Sequence, residues 1–575
     1  MSHSAPRIFP AKWVTGERDA AAEARLSSEL KITPLVAALL ANRGYADPGE
    51  AQVFLTPSLH RLHDPSLLPD YELAKSEILG AVQEKSLIYV HGDYDADGVT
   101  STAILYRFLN KLGANVHAHV PHRMLEGYGI HPDAVDKAHA MGAKLFLTCD
   151  CGISAHEQVA KAREFGMRVV ITDHHQPKPT LPIAHAIVNP HRSDSTYPFN
   201  ELSGAGVALK LCAGLFRDLG HSEDVFYRRF VDLAALGTVA DMMPLVDENR
   251  VIAKFGVERI ADSDKTGIRA LLAVSGLTNQ TLKATHIGFQ LAPRLNAVGR
   301  IDDAKMAYRL LVSADDSESR ELAGVLEEHN QQRKLEQEKT TREAIEEVRE
   351  QGLSDSFVIM VAKEGWGPGV VGLAAGKVLE EYRRPTFVLT VDPESGKLKG
   401  SARSIEGFHL AHAMHELKDL MDGGGHAMAA GCSFPKENLD EIRKRMDEIA
   451  RKTLQESDFV PTIKTDIEAK AEEVNERVLA EIEGLAPFGI GNPEPTFLVR
   501  DITIGSIRPM RNPAHVNVVL RPESGGNIDA ICFGQGEYFS SLGTGAKVDL
   551  AVQPEINEFN GRRTFRWRVK GVRPA

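Results

Sequence analysis

Between residues 86 and 188 five short apolar runs (86–90, 115–120, 144–148, 168–171 and 186–188) alternate with helical patterns at 99–112, 131–141 and 153–165. Strands that are continuously apolar and separated by helices predict a parallel sheet covered on both faces. Such a sheet restricts where a ligand can sit, because it binds outside the carboxyl ends of its strands. Acidic and imidazole side chains crowd into those places. His91-Gly92-Asp93-Tyr94-Asp95-Ala96-Asp97-Gly98 follows the first run, Asp150-Cys151-Gly152 the third and Asp173-His174-His175 the fourth.

If the backbone stays extended through the first of these segments, its period of two places His91, Asp93, Asp95 and Asp97 on one side. Like charges that close repel unless a cation lies among them. Hard oxygen donors with a minority of imidazole suit Mn²⁺ or Mg²⁺ better than a thiolate-seeking ion. The competing reading is a turn at Asp97-Gly98, with the other carboxylates capping the helix that follows. One capping Asp would suffice for that; three in alternation exceed it. Asp241, at the end of the apolar helical pattern 230–240, is on its own an ordinary helix-end acid.

A chain of 575 residues is too long for one core and predicts three or four domains. Its 43% hydrophobic and 25% charged content is that of a soluble globular protein. No apolar run approaches the ~20 residues of a membrane span, and the start, MSHSAPRIFPAKWV, lacks the apolar core of a secretory signal. The expectation is a cytoplasmic protein without a membrane partner. Five cysteines, of which only Cys149 and Cys151 are close in sequence, point to reduced packing residues. Those two alternate with Asp150, so they should point away from whatever Asp150 serves. A net charge of −12 excludes a protein that coats itself in nucleic acid by global attraction. From Thr496 onward, however, eleven Arg and Lys face seven acids, so any electrostatic track is local.

The first 70 residues read as short helices and the α/β alternation extends over 71–315. Residues 317–352 are rich in Glu, Lys, Arg and Gln and predict a connector helix of roughly 33 residues, about 50 Å long, within a 316–355 segment. A second α/β unit (356–460) and a terminal β-barrel or sandwich (461–575) complete the predicted division.

His91-x-x-x-Asp95-x-Asp97, Asp150-Cys151-Gly152, Asp173-His174-His175 and Asp241 resemble the four motifs of the DHH phosphoesterase superfamily. Trp366-Gly367-Pro368-Gly369-Val370-Val371-Gly372 and Gly423-Gly424-Gly425-His426 resemble its DHHA1 companion domain. Pro293-Arg294-Leu295-Asn296-Ala297-Val298-Gly299-Arg300 and Leu485-Ala486-Pro487-Phe488-Gly489-Ile490-Gly491-Asn492 are similar to phrases of the RecJ family within that superfamily. The resemblance covers nearly the whole chain. It implies an α/β fold in which a parallel-sheet DHH domain is joined by a long helix to a second α/β domain, DHHA1, followed by a terminal OB-type β-barrel. It implies a metal-dependent exonuclease that degrades single-stranded DNA from the 5′ end to mononucleotides in recombination and repair.

The same resemblance implies two divalent cations, Mn²⁺ or Mg²⁺, that activate a water and stabilise an in-line phosphodiester displacement. His91 and Asp95 would hold one, Asp97, His174 and Asp241 the other, and Asp150 would bridge them. His175 would contact the scissile phosphate, and Asp93 would hold neither ion. Arg123, Ser401 and Arg403 would recognise the 5′-terminal phosphate. Partners implied are single-stranded DNA, a single-strand-binding protein and a helicase, with the enzyme a monomer. Related enzymes acting on oligoribonucleotides or cyclic dinucleotides share the metal centre, and a non-catalytic DNA-binding scaffold is the further alternative; every ligand position here is filled, which argues against the scaffold.

Other residues carry weaker signals for substrate contact. In Gly400-Ser401-Ala402-Arg403-Ser404 small residues let backbone approach a phosphate while Arg403 offers a bidentate fork. Arg294 and Asn296 are candidates within their phrase. The glycines before His426 suit an anion nest at the start of a small-residue helix, although close backbone packing explains such a run as readily. In the strand 562–570, Arg566 and Arg568 lie on a basic face able to track a single-strand backbone. Phe565, Trp567 and Val569 share the opposite face, where burial is favoured over base stacking.

Overall fold

A computed structural model describes residues 11–123, 125–127, 129–301, 303–559 and 562–575; the first ten residues, read above for a signal, and the side chains of Arg300, Ile301, Phe559 and Arg562 lie outside that description. The chain forms two compact units, one comprising Thr56–Arg333 and Ala486–Pro493, the other Met1–Leu55, Lys334–Leu485 and Glu494–Ala575.

The first described strand, β1 (Lys12–Thr15), belongs to the second of these units. In the Thr56–Arg333 unit, β2 (Ile88–His91), α1 (Ala96–Lys111), β3 (Val116–His119), α2 (Pro132–Ala140), β4 (Leu145–Cys149), α3 (His156–Glu164), β5 (Arg168–Thr172) and β6 (Ala186–Val188) follow in order. The five strands form one sheet, β3-β2-β4-β5-β6, parallel throughout. Strand alternation sorts the side chains. Ile88, Val90, Leu145, Leu147 and Val170 enter one core with residues of α1, α4 (Gly204–Asp218) and α5 (Glu223–Ala240). Tyr89, Phe146, Val169 and Ile171 enter another with residues of α2 and α3. Cys149 and Cys151 are buried and free, one in each core. α6 (Ala292–Ile301) follows, then α7 (Asp316–Glu350), the predicted long helix, at 35 residues. Its residues to Arg333 belong to this unit and the remainder to the other.

Within the other unit, β7 (Ile359–Ala362), α8 (Val371–Tyr382), β8 (Thr386–Val391), β9 (Leu398–Arg403), β10 (Asp422–Gly425) and β11 (Ala429–Phe434) form a five-stranded sheet, β10-β11-β9-β8-β7, in which only β7 and β8 run parallel. After β12 (Thr462–Thr465), the strands β13 (Ile467–Glu468), β14 (Phe497–Pro509), β15 (Val516–Arg521), β16 (Ile528–Cys532), β17 (Lys547–Phe559) and β18 (Arg562–Pro574) are ordered β13-β14-β15-β16-β18-β17. A further β14–β17 pairing closes them into a barrel. Trp567 and Val569 are buried in it, and the Trp567 indole N–H donates to the Val474 carbonyl at 3.2 Å, so the apolar face of β18 is core.

Two arrangements were not visible in the sequence. β1 pairs in parallel with β12, 450 residues away in register Lys12↔Thr462, so residues 11–55 join the later unit instead of forming part of one segment to residue 70. Residues 486–493 return to the earlier unit, where the Ile490 carbonyl accepts from the Leu245 N–H at 2.7 Å. Among the described residues no helix is long and apolar enough to cross a membrane.

Candidate metal centre

The strand ends carry the acidic groups into one place by three different turns. β2 ends at His91, and Asp95 is the N-cap of α1, its Oδ1 accepting from the Asp97 and Gly98 N–H groups at 2.9 and 3.0 Å. The capping and the metal readings of this segment therefore both apply, to different residues. Gly98 is required here because a Cβ would lie 2.5 Å from the Asp93 carbonyl oxygen. Asp150, directly after β4, takes a left-handed φ of 59°. After β5, Asp173 folds its own loop: its Oδ1 accepts from the His174 and His175 N–H groups at 2.7 and 3.1 Å, and its Oδ2 from Ile153 N–H at 2.9 Å.

Three groups of prospective ligands result, each with its donor atoms within 4.8 Å of one another: Asp93, Asp95 and Asp150; Asp97, His174 and Asp241; and Asp150, His174 and His175. Asp150 is common to the first and third. His174 Nε2 lies 3.0 Å from Asp150 Oδ1, 3.6 Å from Asp241 Oδ2 and 3.8 Å from Asp97 Oδ2. Buried Asp93 Oδ1, Asp150 Oδ1 and His174 Nε2 make no hydrogen bond. Unpaired buried acceptors that converge on one point fit divalent cations with oxygen and imidazole ligands.

Electrostatics give the same answer. Burial, with Asp95 next, pushes the Asp97 carboxyl up to about 7, despite hydrogen bonds from the Gly204 and Ala205 N–H groups at 2.6 and 2.9 Å. Burial and the charges of Asp97 and Asp95 push Asp241 to about 8. Asp93 and Asp150 are raised well above the usual range by burial and neighbouring carboxylates. Burial and His175 lower His174 to about 4, which keeps its imidazole neutral and able to bind a cation. His175 behaves oppositely. Burial would lower it, but its 2.7 Å Nδ1–H hydrogen bond to Asp173 Oδ1 and the surrounding carboxylates raise it to about 9. Two glycines make room for the carboxylates. A Cβ on Gly237 of α5 would lie 2.3 Å from Asp97 Oδ1, and one on Gly204 would lie 2.6 Å from Asp150 Oδ1.

His91 is the main departure from expectation. The extended backbone stops at His91, so parity places its ring on the Tyr89 face, stacked on His119 and Phe146 at 5.3 and 5.8 Å, with Nε2 at 3.3 Å from the Gly129 carbonyl. It is fully buried, and burial with His119 holds it neutral at about 3. None of the three ligand groups includes it; Asp93 stands beside Asp95 and Asp150 instead.

Four substrate candidates also prove to be engaged elsewhere. Arg294 is 7% exposed, pairing with Glu327 of α7 at 2.5 Å and donating to the Gln290 carbonyl at 2.6 Å. Arg566 pairs with Glu555 of the facing strand at 2.6 Å, and Arg568 pairs with the other oxygen of the same carboxylate. His426 is exposed at the turn of the β10–β11 hairpin, its N–H donating to the Ala429 carbonyl at 2.8 Å. A strand, not a helix, follows those glycines, because Gly423 and Gly425 pair with Cys432 and Ala430 across the hairpin.

Beside the carboxylates opens a cleft of about 370 Å³ lined by Asp93, Asp95, Arg123, His175, Asn296 and others. The Arg123 guanidinium lies over the Tyr94 ring, 5.1 Å from its centroid. Asn296 Oδ1 accepts from the Ala96 N–H at 2.7 Å, fastening α6 to the first turn of α1. In the other unit, Ser401 and Arg403 project from β9 toward the start of α8: a Cβ on Gly372 would lie 3.2 Å from both Ser401 Oγ and Arg403 Nη2. Burial lowers the Arg403 pKa, and no carboxylate among the described residues pairs with it.

Two contributors were missed from sequence. Asp173 sets the His174-His175 loop, and the start of α4 donates two N–H groups to Asp97. The signal for the second was Ser203-Gly204-Ala205-Gly206, a capping serine before small residues, where Ser203 Oγ accepts from Gly206 N–H.

The DHH family, N-terminal domain, matches residues 87–238, the DHHA1 domain residues 354–452 and the RecJ OB domain residues 465–571. The chain is 41% identical to the single-stranded-DNA-specific exonuclease RecJ of Bacillus subtilis over 95% of its own length and 68% of that protein. It is 35% identical to the protein of that name from Escherichia coli over 95% and 96% of the two chains. Among solved structures, Thermus thermophilus RecJ in complex with Mn²⁺ superimposes with a TM-score of 0.85 at 30% identity, covering 98% of this chain and 80% of that one. The same protein in complex with Mg²⁺ gives a TM-score of 0.79 at 28% identity.

Proposed function

The chain belongs to the RecJ family, and from that premise we propose that it is a single-strand-specific DNA exonuclease that starts at the 5′ end, releases mononucleotides and serves recombination and repair. The observation that carries this reading is the position of Asp150, shared between the Asp93–Asp95 group and the His174 group. Asp93 and Asp95 would hold one Mn²⁺ or Mg²⁺, Asp97, His174 and Asp241 the other, with Asp150 between them. Bound there, divalent cations supply Lewis acidity and an activated water.

The chain's own residues do the rest. Asp173 accepts the Nδ1 proton of His175 and so fixes the ring, leaving Nε2–H for a non-bridging oxygen of the scissile phosphate. With its pKa near 9 that imidazole is cationic at neutral pH and favours the charge that develops on the phosphate. Asn296 holds the first turn of α1, and with it Asp95 and Asp97, in place. Arg123 is available for a backbone phosphate within the cleft. Ser401, Arg403 and the start of α8 suit a terminal phosphate, whose 5′ identity sets the polarity. In this reading residues 71–315 cut, 356–460 grip the end and 461–575 hold the strand. The enzyme works in the cytoplasm as a monomer, on ends supplied by a helicase and covered by single-strand-binding protein.

A single-stranded oligonucleotide labelled at either end, with and without a 5′ phosphate, tests the proposal. In Mn²⁺ the 5′ label is released first as mononucleotide and duplex DNA is spared. Release from the 3′ end first refutes it.

A further inference from the structure

The acids of the terminal barrel neutralise much of its positive charge. Arg500 and Arg573 pair with Asp549, Lys547 with Glu523, and Arg566 and Arg568 with Glu555. Arg511 and Lys570 are exposed and have no carboxylate partner among the described residues. They stand on either side of one aromatic ring. Phe533 is 49% exposed, whereas Phe497, Phe539 and Trp567 of the same barrel are fully buried.

The surroundings of Phe533 are tightly built. Its ring meets His515 edge to face, centroids 5.3 Å apart at 76°. Gly534 N–H donates to His515 Nδ1 at 3.0 Å, so the neutral imidazole carries its proton on Nε2 and presents it as a donor. Gly536 N–H donates to the Ala514 carbonyl at 3.0 Å, and a Cβ on Gly536 would lie 2.1 Å from the Pro513 oxygen, so the loop carrying Arg511 and the loop carrying Phe533 are locked together. The parallel register Cys532↔Val569 and the 3.2 Å hydrogen bond from Gln535 Nε2 to the Lys570 carbonyl set Lys570 beside the same loop.

An exposed ring face held rigid between unpaired cations matches a nucleobase with phosphates on both sides. An acidic peptide would use the cations and leave the ring without a purpose. We propose that Phe533, braced by His515 and flanked by Arg511 and Lys570, is a base-stacking site for single-stranded DNA on the terminal barrel. The site rests on the exonuclease reading for its ligand. It replaces the Arg566–Arg568 face, which Glu555 occupies.

The test is binding by the full-length protein in EDTA, where cleavage is suppressed, to a fluorescent thymidine strand and to a strand of equal length without bases. F533A should weaken binding to the thymidine strand by about five-fold or more, the value of one stacked base, while the loss on the baseless strand is much smaller. F533W should restore binding, and an unchanged melting temperature shows that the fold is intact. No loss in F533A, or an equal loss on both strands, overturns the site, as does a variant that loses an acidic peptide but not DNA. Wild-type cleavage of the same strand in Mn²⁺ runs alongside: its absence would defeat the exonuclease reading, and the EDTA measurements would still judge the stacking site.

Discussion

His174 Nε2 and Asp150 Oδ1 face each other at 3.0 Å, both buried and neither engaged in a hydrogen bond. A neutral imidazole nitrogen and a carboxylate oxygen in that relation are two lone pairs waiting for a cation, and the neighbouring carboxyls of Asp97 and Asp241, raised to about 7 and 8, register the same demand.

Metal should therefore stabilise the fold by relieving that repulsion. Adding Mn²⁺ or Mg²⁺ to metal-stripped protein is expected to raise the melting temperature by several degrees, at roughly 2–4 °C per kcal/mol for a large domain. Asp150→Asn should melt higher than metal-free wild type, because one buried charge is gone, and gain far less from metal. Differential scanning fluorimetry distinguishes the outcomes; an equal metal response in both proteins contradicts the placement of Asp150.

Asp93 and His91 exchange the roles that the spacing suggested. Asp93→Ala should lower the rate by at least roughly a hundred-fold, the loss expected when a group that stabilises transition-state charge is removed. His91→Phe, which preserves the stack on His119 and Phe146, should stay within a few-fold of wild type. Initial rates on single-stranded DNA in saturating Mn²⁺ decide, and a His91→Phe enzyme as dead as Asp93→Ala would restore His91 as a ligand.

That exchange shows what the sequence could reveal. The five strands, the helices between them and the strand-end position of every acidic motif followed from periodicity, and burial of Trp567 followed from alternation along β18. The parity of Asp93 did not follow, since it depends on where β2 stops and Asp95 begins to cap α1. Nor could the sequence show that Glu327 and Glu555 occupy Arg294 and the Arg566–Arg568 pair, or that β1 lies along β12, because those contacts depend on folding of distant segments.

Asp173 acts through His175. Asp173→Asn should reduce kcat by about ten- to hundred-fold, the usual cost of losing a carboxylate that orients a histidine, with KM for DNA little changed. Steady-state kinetics check this; a rise in KM alone would make His175 a binding group only.

Gly237 is a steric prediction. Gly237→Ala would place a methyl 2.3 Å from Asp97 Oδ1, so Asp97 or α5 must shift, at about 1–3 kcal/mol. Activity should fall and the Mn²⁺ concentration for half-maximal rate should rise; a Mn²⁺ titration matching wild type would show that Asp97 tolerates displacement.

The most direct measurement is anomalous diffraction from crystals soaked in Mn²⁺. Two peaks are predicted, one against Asp93 and Asp95, the other against Asp97, His174 and Asp241, with Asp150 touching both. A single peak, or one bound through the His91 ring instead of Asp93, would contradict the shared-ligand centre.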